Sequence, residues 1–391
     1  MRLNLRLCYS LALLFLAQFA FGLPGNKNIK ITSFSRVFYD DNVFMRAAGT
    51  TNQLDTLYYS QSFGVDAKFF RDMITLKATP EVRHRQVDNK TMFFGSLGTK
   101  TKNQFGPKIV VESANTFSHS EREPSSLDDD IDVTYFMNKA FGQVSWQPTY
   151  LNKVRLGYEK SIKRWSENLP VGSGTELTNG DFTKDTYTLT LERISGKRFI
   201  LEAIGKKSAL EYNGDRGALD TDILYGQISY VPNSYTIIKI NYGRIFAEAI
   251  NQAGDLTEYS TPTYGANITF FTPRGTVLGF NTIYEVMDSS VAYWNMKENL
   301  KFMMIAKYKI TPKLELSGML LDMHTNYKDI GNRYEGLGLE RKEEVLVSSI
   351  TLSWKYNEFH YAEVGYQGMH LFNEDADVFK NKYFIGYKLQ F

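Results

Sequence analysis

The last ten residues, Lys382-Tyr383-Phe384-Ile385-Gly386-Tyr387-Lys388-Leu389-Gln390-Phe391, alternate between two kinds of side chain. Tyr383, Ile385, Tyr387, Leu389 and Phe391 fall on one face of an extended strand, and Lys382, Phe384, Gly386, Lys388 and Gln390 on the other. A soluble sheet has little to gain from finishing on an aromatic-rich apolar face with a terminal Phe. A transmembrane β-barrel does gain, because every strand turns one face to lipid and the other to the lumen. Tyr387, Leu389 and Phe391 therefore read as a C-terminal insertion signal of the kind that barrel-assembly machinery recognises in bacterial outer membranes.

The beginning of the chain points to the same compartment. Arg2 and Arg6 precede an apolar run from Leu11 to Phe19, and Ala20-Phe21-Gly22 is a small-x-small cleavage site. Residues 1–22 are thus expected to be a cleaved secretory signal peptide, and residues 23–391 a barrel domain. The single cysteine, Cys8, lies inside that signal, so the mature chain is expected to carry no disulfide and no cysteine ligand. No other segment approaches the roughly 18 consecutive apolar residues of a spanning helix. Yet 14% of the residues are aromatic, as expected where half of each strand must face lipid. A net charge of +2 gives no signal for nucleic acid.

Between the ends the chain reads as long hairpins. Short turns occur at Phe105-Gly106-Pro107-Lys108, Gln147 to Asn152, Ile194-Ser195-Gly196-Lys197, Val231-Pro232-Asn233-Ser234, Thr272-Pro273-Arg274-Gly275 and Thr311-Pro312-Lys313. Proline suits these turns because it fixes φ and gives up a ladder donor. Polar connections at Asp40 to Gln53, Glu121 to Asp132, Ser166 to Phe182, Asn251 to Glu258 and Thr325 to Glu343 are longer. Period-2 runs of about 10–14 residues join them, longer than the usual soluble strand of about 5–6. Seventeen strands are clear, and a weaker one at Thr91–Asn103 brings the total to an even 18 and puts all the short turns on one side. The fold class expected is an all-β, antiparallel up-and-down transmembrane barrel of 18 strands, with 16 as the alternative. Pro80, inside the third strand, argues locally against this unless a bulge accommodates it. Trp146 and Trp354 precede short turns while Trp165 and Trp294 flank long loops, as two interfacial girdles would.

The lumen face is charged. Lys77, Arg83, Arg85, Arg155, Lys301, Lys307, Lys309, Lys355 and Lys388 are the tentative pore-lining cations, joined by Lys68, Lys163, Lys239 and Lys382. Asp66, Glu81, Glu159, Glu315 and Glu363 share that face. Such a lining either biases a pore toward anions or pairs across strands and leaves no bias. The acidic run Leu127 to Asp132 is either a site for cations bridging lipopolysaccharide or a solvated loop. The histidines, His84, His119, His324, His360 and His370, show no paired metal-ligand spacing and no nucleophile context. No enzyme activity, catalytic residue, metal or cofactor is expected.

Val37-Phe38-Tyr39-Asp40-Asp41-Asn42-Val43-Phe44, with the segment Val154 to Lys160, Arg164-Trp165 and the terminal Tyr387 to Phe391, resembles the bacterial β-barrel porin type 2 family. That resemblance implies an outer-membrane barrel of open substrate range, with exopolysaccharide export among the roles of its members. Locally, Asp40-Asp41-Asn42 needs no function, since Asp and Asn end strands and open turns. The expectation is a porin-like channel for passive diffusion of small hydrophilic solutes, leaning toward anions or sugars. Exopolysaccharide export and a structural or adhesive barrel with a closed lumen are the alternatives. Its expected surroundings are outer-membrane lipid and lipopolysaccharide of a Gram-negative bacterium. Expected partners are the assembly machinery and a small hydrophilic solute or polysaccharide, with no nucleic acid. Oligomeric state is not legible.

Overall fold

In the computed structural model, residues 29–42, 55–70, 72–121, 134–166, 169–170, 177–178, 181–213, 218–250, 256–288, 296–328, 340–373 and 377–391 are described. The expected signal peptide at 1–22, Trp294 and the acidic run 127–132 lie outside them. The strands are β1 (Ile29–Asp40), β2 (Thr56–Phe69), β3 (Ile74–Arg85), β4 (Lys90–Phe105), β5 (Ile109–Glu121), β6 (Thr134–Trp146), β7 (Asn152–Trp165), β8 (Leu169–Pro170), β9 (Leu177–Thr178), β10 (Phe182–Ser195), β11 (Phe199–Tyr212), β12 (Ala218–Asn233), β13 (Thr236–Ile250), β14 (Leu256–Phe271), β15 (Val277–Asp288), β16 (Met296–Lys309), β17 (Leu314–Lys328), β18 (Glu340–Lys355), β19 (His360–Asn373) and β20 (Asp377–Gln390). β8 and β9 form a two-residue hairpin of their own. The other 18 strands make one antiparallel sheet that closes when β1 pairs with β20. The weak strand at Thr91–Asn103 is real and is β4.

All the short turns named above lie at one end of the barrel, as do the β2–β3 and β18–β19 turns. At the other end most connections are longer, with two short exceptions: the four residues 86–89 between β3 and β4 and the three residues 374–376 between β19 and β20. The two faces follow the period of two. Val37, Leu156, Leu224, Ile240, Tyr242, Ile350 and Ile385 point outward and are exposed. Among their sequence neighbours, Arg36, Arg155, Lys239, Asn241, Ser349 and Thr351 fall on the inward face.

Pro80 fits without a bulge. The register of β2 against β3 runs unchanged past it, from Ser62↔Glu81 to Val65↔Ala78. Across the other ladder it faces Gly95, whose φ is +147°. A Cβ at Gly95 would lie 2.8 Å from Pro80 Cα, so a glycine opposite the ring provides the space.

The closing seam shows what the Asp40-Asp41-Asn42 segment does beyond ending β1. Asp40 is fully buried, and Lys380 and Lys382 of β20 reach its carboxylate at 3.3 and 3.4 Å. Asp41 accepts from the Asn381 backbone N–H at 2.6 Å and from its side-chain amide at 2.7 Å. Asn42 donates to the Phe379 carbonyl at 2.8 Å. At the opposite end, Ile31 and Phe391 exchange backbone hydrogen bonds of 3.0 and 2.8 Å. The first and last strands are therefore clasped at both ends. Removing one member of a fully buried ion pair costs about 3–5 kcal/mol. Lys382 is partly exposed, so Asp40→Ala is expected to cost about 2–3 kcal/mol. Urea unfolding followed by the heat-shifted band on gels measures this, and an unchanged midpoint would contradict the clasp.

Candidate functional site

The inward face is an array of ion pairs built by cross-strand register. Lys77 sits opposite Asp66 and bonds it at 3.4 Å. Arg83 binds Glu81 at 2.7 Å, Ser60 donates to the same carboxylate at 2.7 Å, and the guanidinium lies 4.7 Å over the Phe94 ring. Glu192 and Glu202 are direct cross-strand partners, an arrangement that repels on its own. Arg155 relieves it by contacting the Glu192 carboxylate and reaching Glu202 at 3.4 Å, while Gln227 donates to Glu202. Lys301 pairs with Glu285 at 2.5 Å and Lys307 with Glu315 at 2.7 Å. Arg85, almost fully buried, binds Asp88 in the β3–β4 turn at 2.5 and 3.0 Å. This guanidinium holds the Asp88 carboxyl below its ordinary value. Its stabilisation is therefore complete above the unfolded pKa and is lost as pH falls through the lower folded one.

Arg36 is a lumen cation that sequence reading missed. It binds Glu363 at 2.9 Å and lies 3.9 Å from the Phe34 ring centre and 5.4 Å from that of Phe384. A Cβ at Gly386 would fall 2.9 Å from both Phe34 and Glu363, and one at Gly365 2.3 Å from Phe384, so two glycines make this packing fit. Glu112, Glu192, Glu202 and Glu285 were also missed. They lie on strands whose inward face carries at most one lysine, Lys184 on β10 and Lys206 on β11, too few to mark the face as charged. Trp165 turns into the lumen rather than joining an outer girdle, because Lys163 lies 4.0 Å from its ring and 3.9 Å from that of Tyr135.

Six of the nine tentative lining cations are thus neutralised: Lys77, Arg83, Arg85, Arg155, Lys301 and Lys307. Among the described residues Lys309, Lys355 and Lys388 make no ion pair. They stand at the short-turn end. Lys355, Tyr361 and Lys388 occupy one cross-strand row, and both ammonium groups lie 5.7 Å from the Tyr361 ring centre. Of the remaining expected residues, Lys68 bonds Asp72 at 3.6 Å, Glu159 accepts from Ser161, and Lys239 makes no ion pair among the described residues.

At the long-connection end, the described strand ends of β15–β17 fold over the inward face of the sheet. β14 and β15 pair only from Phe271↔Val277 to Tyr264↔Tyr284 and then separate. Beyond that point the Tyr284 carbonyl accepts from the Thr263 hydroxyl at 2.8 Å. Glu298 and Lys328 share a face of β16 and β17 with the outward Phe302 and Leu320. Yet Lys328 donates to the Tyr259 hydroxyl at 3.0 Å, and Tyr259 donates to Glu298. Tyr259 belongs to the inward face of β14. Likewise Met296 and Val286 pack with Leu210, Leu219, Ala247 and Ala249, which face inward on β11–β13. The ends of β15–β17 therefore roll inside the ring and cover an apolar cluster there.

No family model matches the chain, and neither does any curated protein. Solved structures share its fold. OccK2 (OpdF) of Pseudomonas aeruginosa, in complex with glucuronate, is 12% identical over 93% of this chain and 98% of that one, with a TM-score of 0.51. OccAB2 of Acinetobacter baumannii is 11% identical over 93% and 98%, with a TM-score of 0.50. A BenF-like porin from Pseudomonas fluorescens Pf-5 is 11% identical over 93% and 99%, with a TM-score of 0.50.

The roll makes a prediction. Lys328 pairs with Glu298, which is 8% exposed, at 3.1 Å. Lys328→Ala removes the counter-charge of Glu298 and the hydrogen bond from β17 to Tyr259, leaving the carboxylate to Tyr259 and Asn326, and a loss of about 1.4 kcal/mol shifts the closed population about tenfold. Conductance of the variant in planar bilayers is expected to show far more frequent large openings, and gating identical to the parent would contradict the roll as an occlusion.

Proposed function

We propose that this chain is an outer-membrane channel for passive diffusion of small hydrophilic solutes in a Gram-negative bacterium. One observation carries the reading: a closed barrel of 18 strands with an apolar, aromatic outward face and a charged inward one. A barrel of that size leaves an aqueous passage. An outward face of that kind is stable only against lipid. The structurally similar proteins are channels rather than enzymes, and the expected signal peptide and C-terminal strand fit the same compartment. The resemblance to β-barrel porin type 2 proteins supports the same class.

The solutes best matched are small organic anions, including sugar acids. Most of the lumen charge cancels in pairs, so bulk anion bias is weak. Selectivity instead rests on Lys309, Lys355 and Lys388, with Tyr361 offering a flat face beside two ammonium groups. Glucuronate, held in the OccK2 structure, is both a sugar and an anion and has the chemistry such a row suits.

The roll at the long-connection end and the paired lumen charges favour a second reading, a barrel closed in its resting state. Proteoliposome flux separates the two. Glucuronate is expected to enter faster than glucose, and Lys355→Glu with Lys388→Glu is expected to cut glucuronate flux several-fold while leaving glucose unchanged. Charge reversal at Lys307, already paired with Glu315, is expected to change little. No flux of either solute through folded barrels would favour the closed reading.

A further inference from the structure

We propose that Asp322, His324 and Glu344 bind a divalent transition-metal ion on the outward face of the barrel. The ladder places them together. Asp322 and His324 are two residues apart on β17 and share a face, and His324 is directly opposite Glu344 on β18. His324 Nε2 is 3.3 Å from Asp322 Oδ2, and Nδ1 is 3.8 Å from Glu344 Oε2. One ligand atom from each residue lies within 4.8 Å of the other two. Metal bonds of about 2.0–2.2 Å hold neighbouring ligand atoms about 3.3 Å apart in a tetrahedral site. Rotation of the exposed Glu344 side chain closes the remaining distance.

The surroundings call for a cation. Among the described residues neither carboxylate has a lysine or arginine partner, whereas the lumen carboxylates described above are nearly all paired with one. Register places Leu300, Phe302 and Leu346 next to the cluster on the same outward face, and the Phe302 ring meets the His324 ring edge-on at 6.4 Å. Asp322 Oδ1 is buried with no hydrogen-bond donor. Two carboxylates held side by side repel each other. A protonated His324 supplies one positive charge against two. A divalent ion supplies both charges and a partner for the orphaned oxygen. One imidazole with two carboxylates suits Zn²⁺, Co²⁺ or Mn²⁺ better than the all-oxygen preference of Ca²⁺ or Mg²⁺. A search for histidine pairs passes over this set, because the second and third ligands are carboxylates and one lies on another strand.

The test uses the full folded barrel in detergent, without a histidine tag. Co²⁺ titration read by visible absorption is expected to show one saturable site, from which Zn²⁺ displaces Co²⁺. His324→Ala and Glu344→Gln are each expected to weaken binding at least about tenfold. His370→Ala, a substitution on the same outward face, is expected to leave binding unchanged. The heat-shifted gel band confirms folding of each variant, and the near-isosteric Glu344→Gln decides alone if His324→Ala does not fold. Absence of saturable uptake, or uptake equal in the parent and in Glu344→Gln, overturns the site.

Discussion

Everything in this structure depends on closing the ladder between β1 and β20. A backbone polar group left unpaired in hydrocarbon costs several kcal/mol, so a sheet can sit in a bilayer only if it has no edge. Here the edge is removed by residues at both extremes of the chain. Phe391 bonds Ile31 at one end, while Asp40, Asp41 and Asn42 clasp Phe379, Lys380, Asn381 and Lys382 at the other. The pairing spans nearly the whole chain, and no short turn holds β1 against β20 as turns hold the other neighbours. Concentrating buried ion pairs and amide bonds at that seam is the physical response.

Closure in turn fixes which face is which, and the lumen then solves its own electrostatic problem. Charges brought inside a ring of 18 strands are partly desolvated and so must find partners. Arg155 between Glu192 and Glu202, and Arg36 between Glu363 and two phenylalanine rings, show the solution: a cation placed where register would otherwise oppose like charges or leave an arginine in an aromatic setting. For the proposed channel, the consequence is that charge composition overstates selectivity. In the proposed channel, the lysines without a carboxylate, Lys309, Lys355 and Lys388 at the short-turn mouth among them, are what would attract an anionic solute.

Much of this was legible in the chain. Strand number, face assignment and the end at which turns are short follow from period-2 alternation and from proline placement, which are local signals. The β4 strand was faint because Gly95, Gly98 and a run of threonine and lysine dilute its pattern, and parity rescued it. Pairing was not legible, because Glu202 and Arg155 are far apart in sequence and meet only through β10. The inward roll of β15–β17 was equally hidden. Its residues keep the alternation of a lipid-facing strand, and only the lost ladder beyond Tyr264↔Tyr284 shows that the sheet has turned past itself. The Asp40-Asp41-Asn42 segment was visible as a strand end, while its partner strand, more than three hundred residues away, was not.

Single-channel recording of the refolded barrel in a planar bilayer under a salt gradient measures whether the lumen conducts. Stable conductance steps are expected, with a reversal potential showing modest anion preference, because Lys239, Lys309, Lys355 and Lys388 carry no carboxylate partner among the described residues. A folded, heat-modifiable barrel that never conducts, or one with clear cation preference, would contradict this expectation.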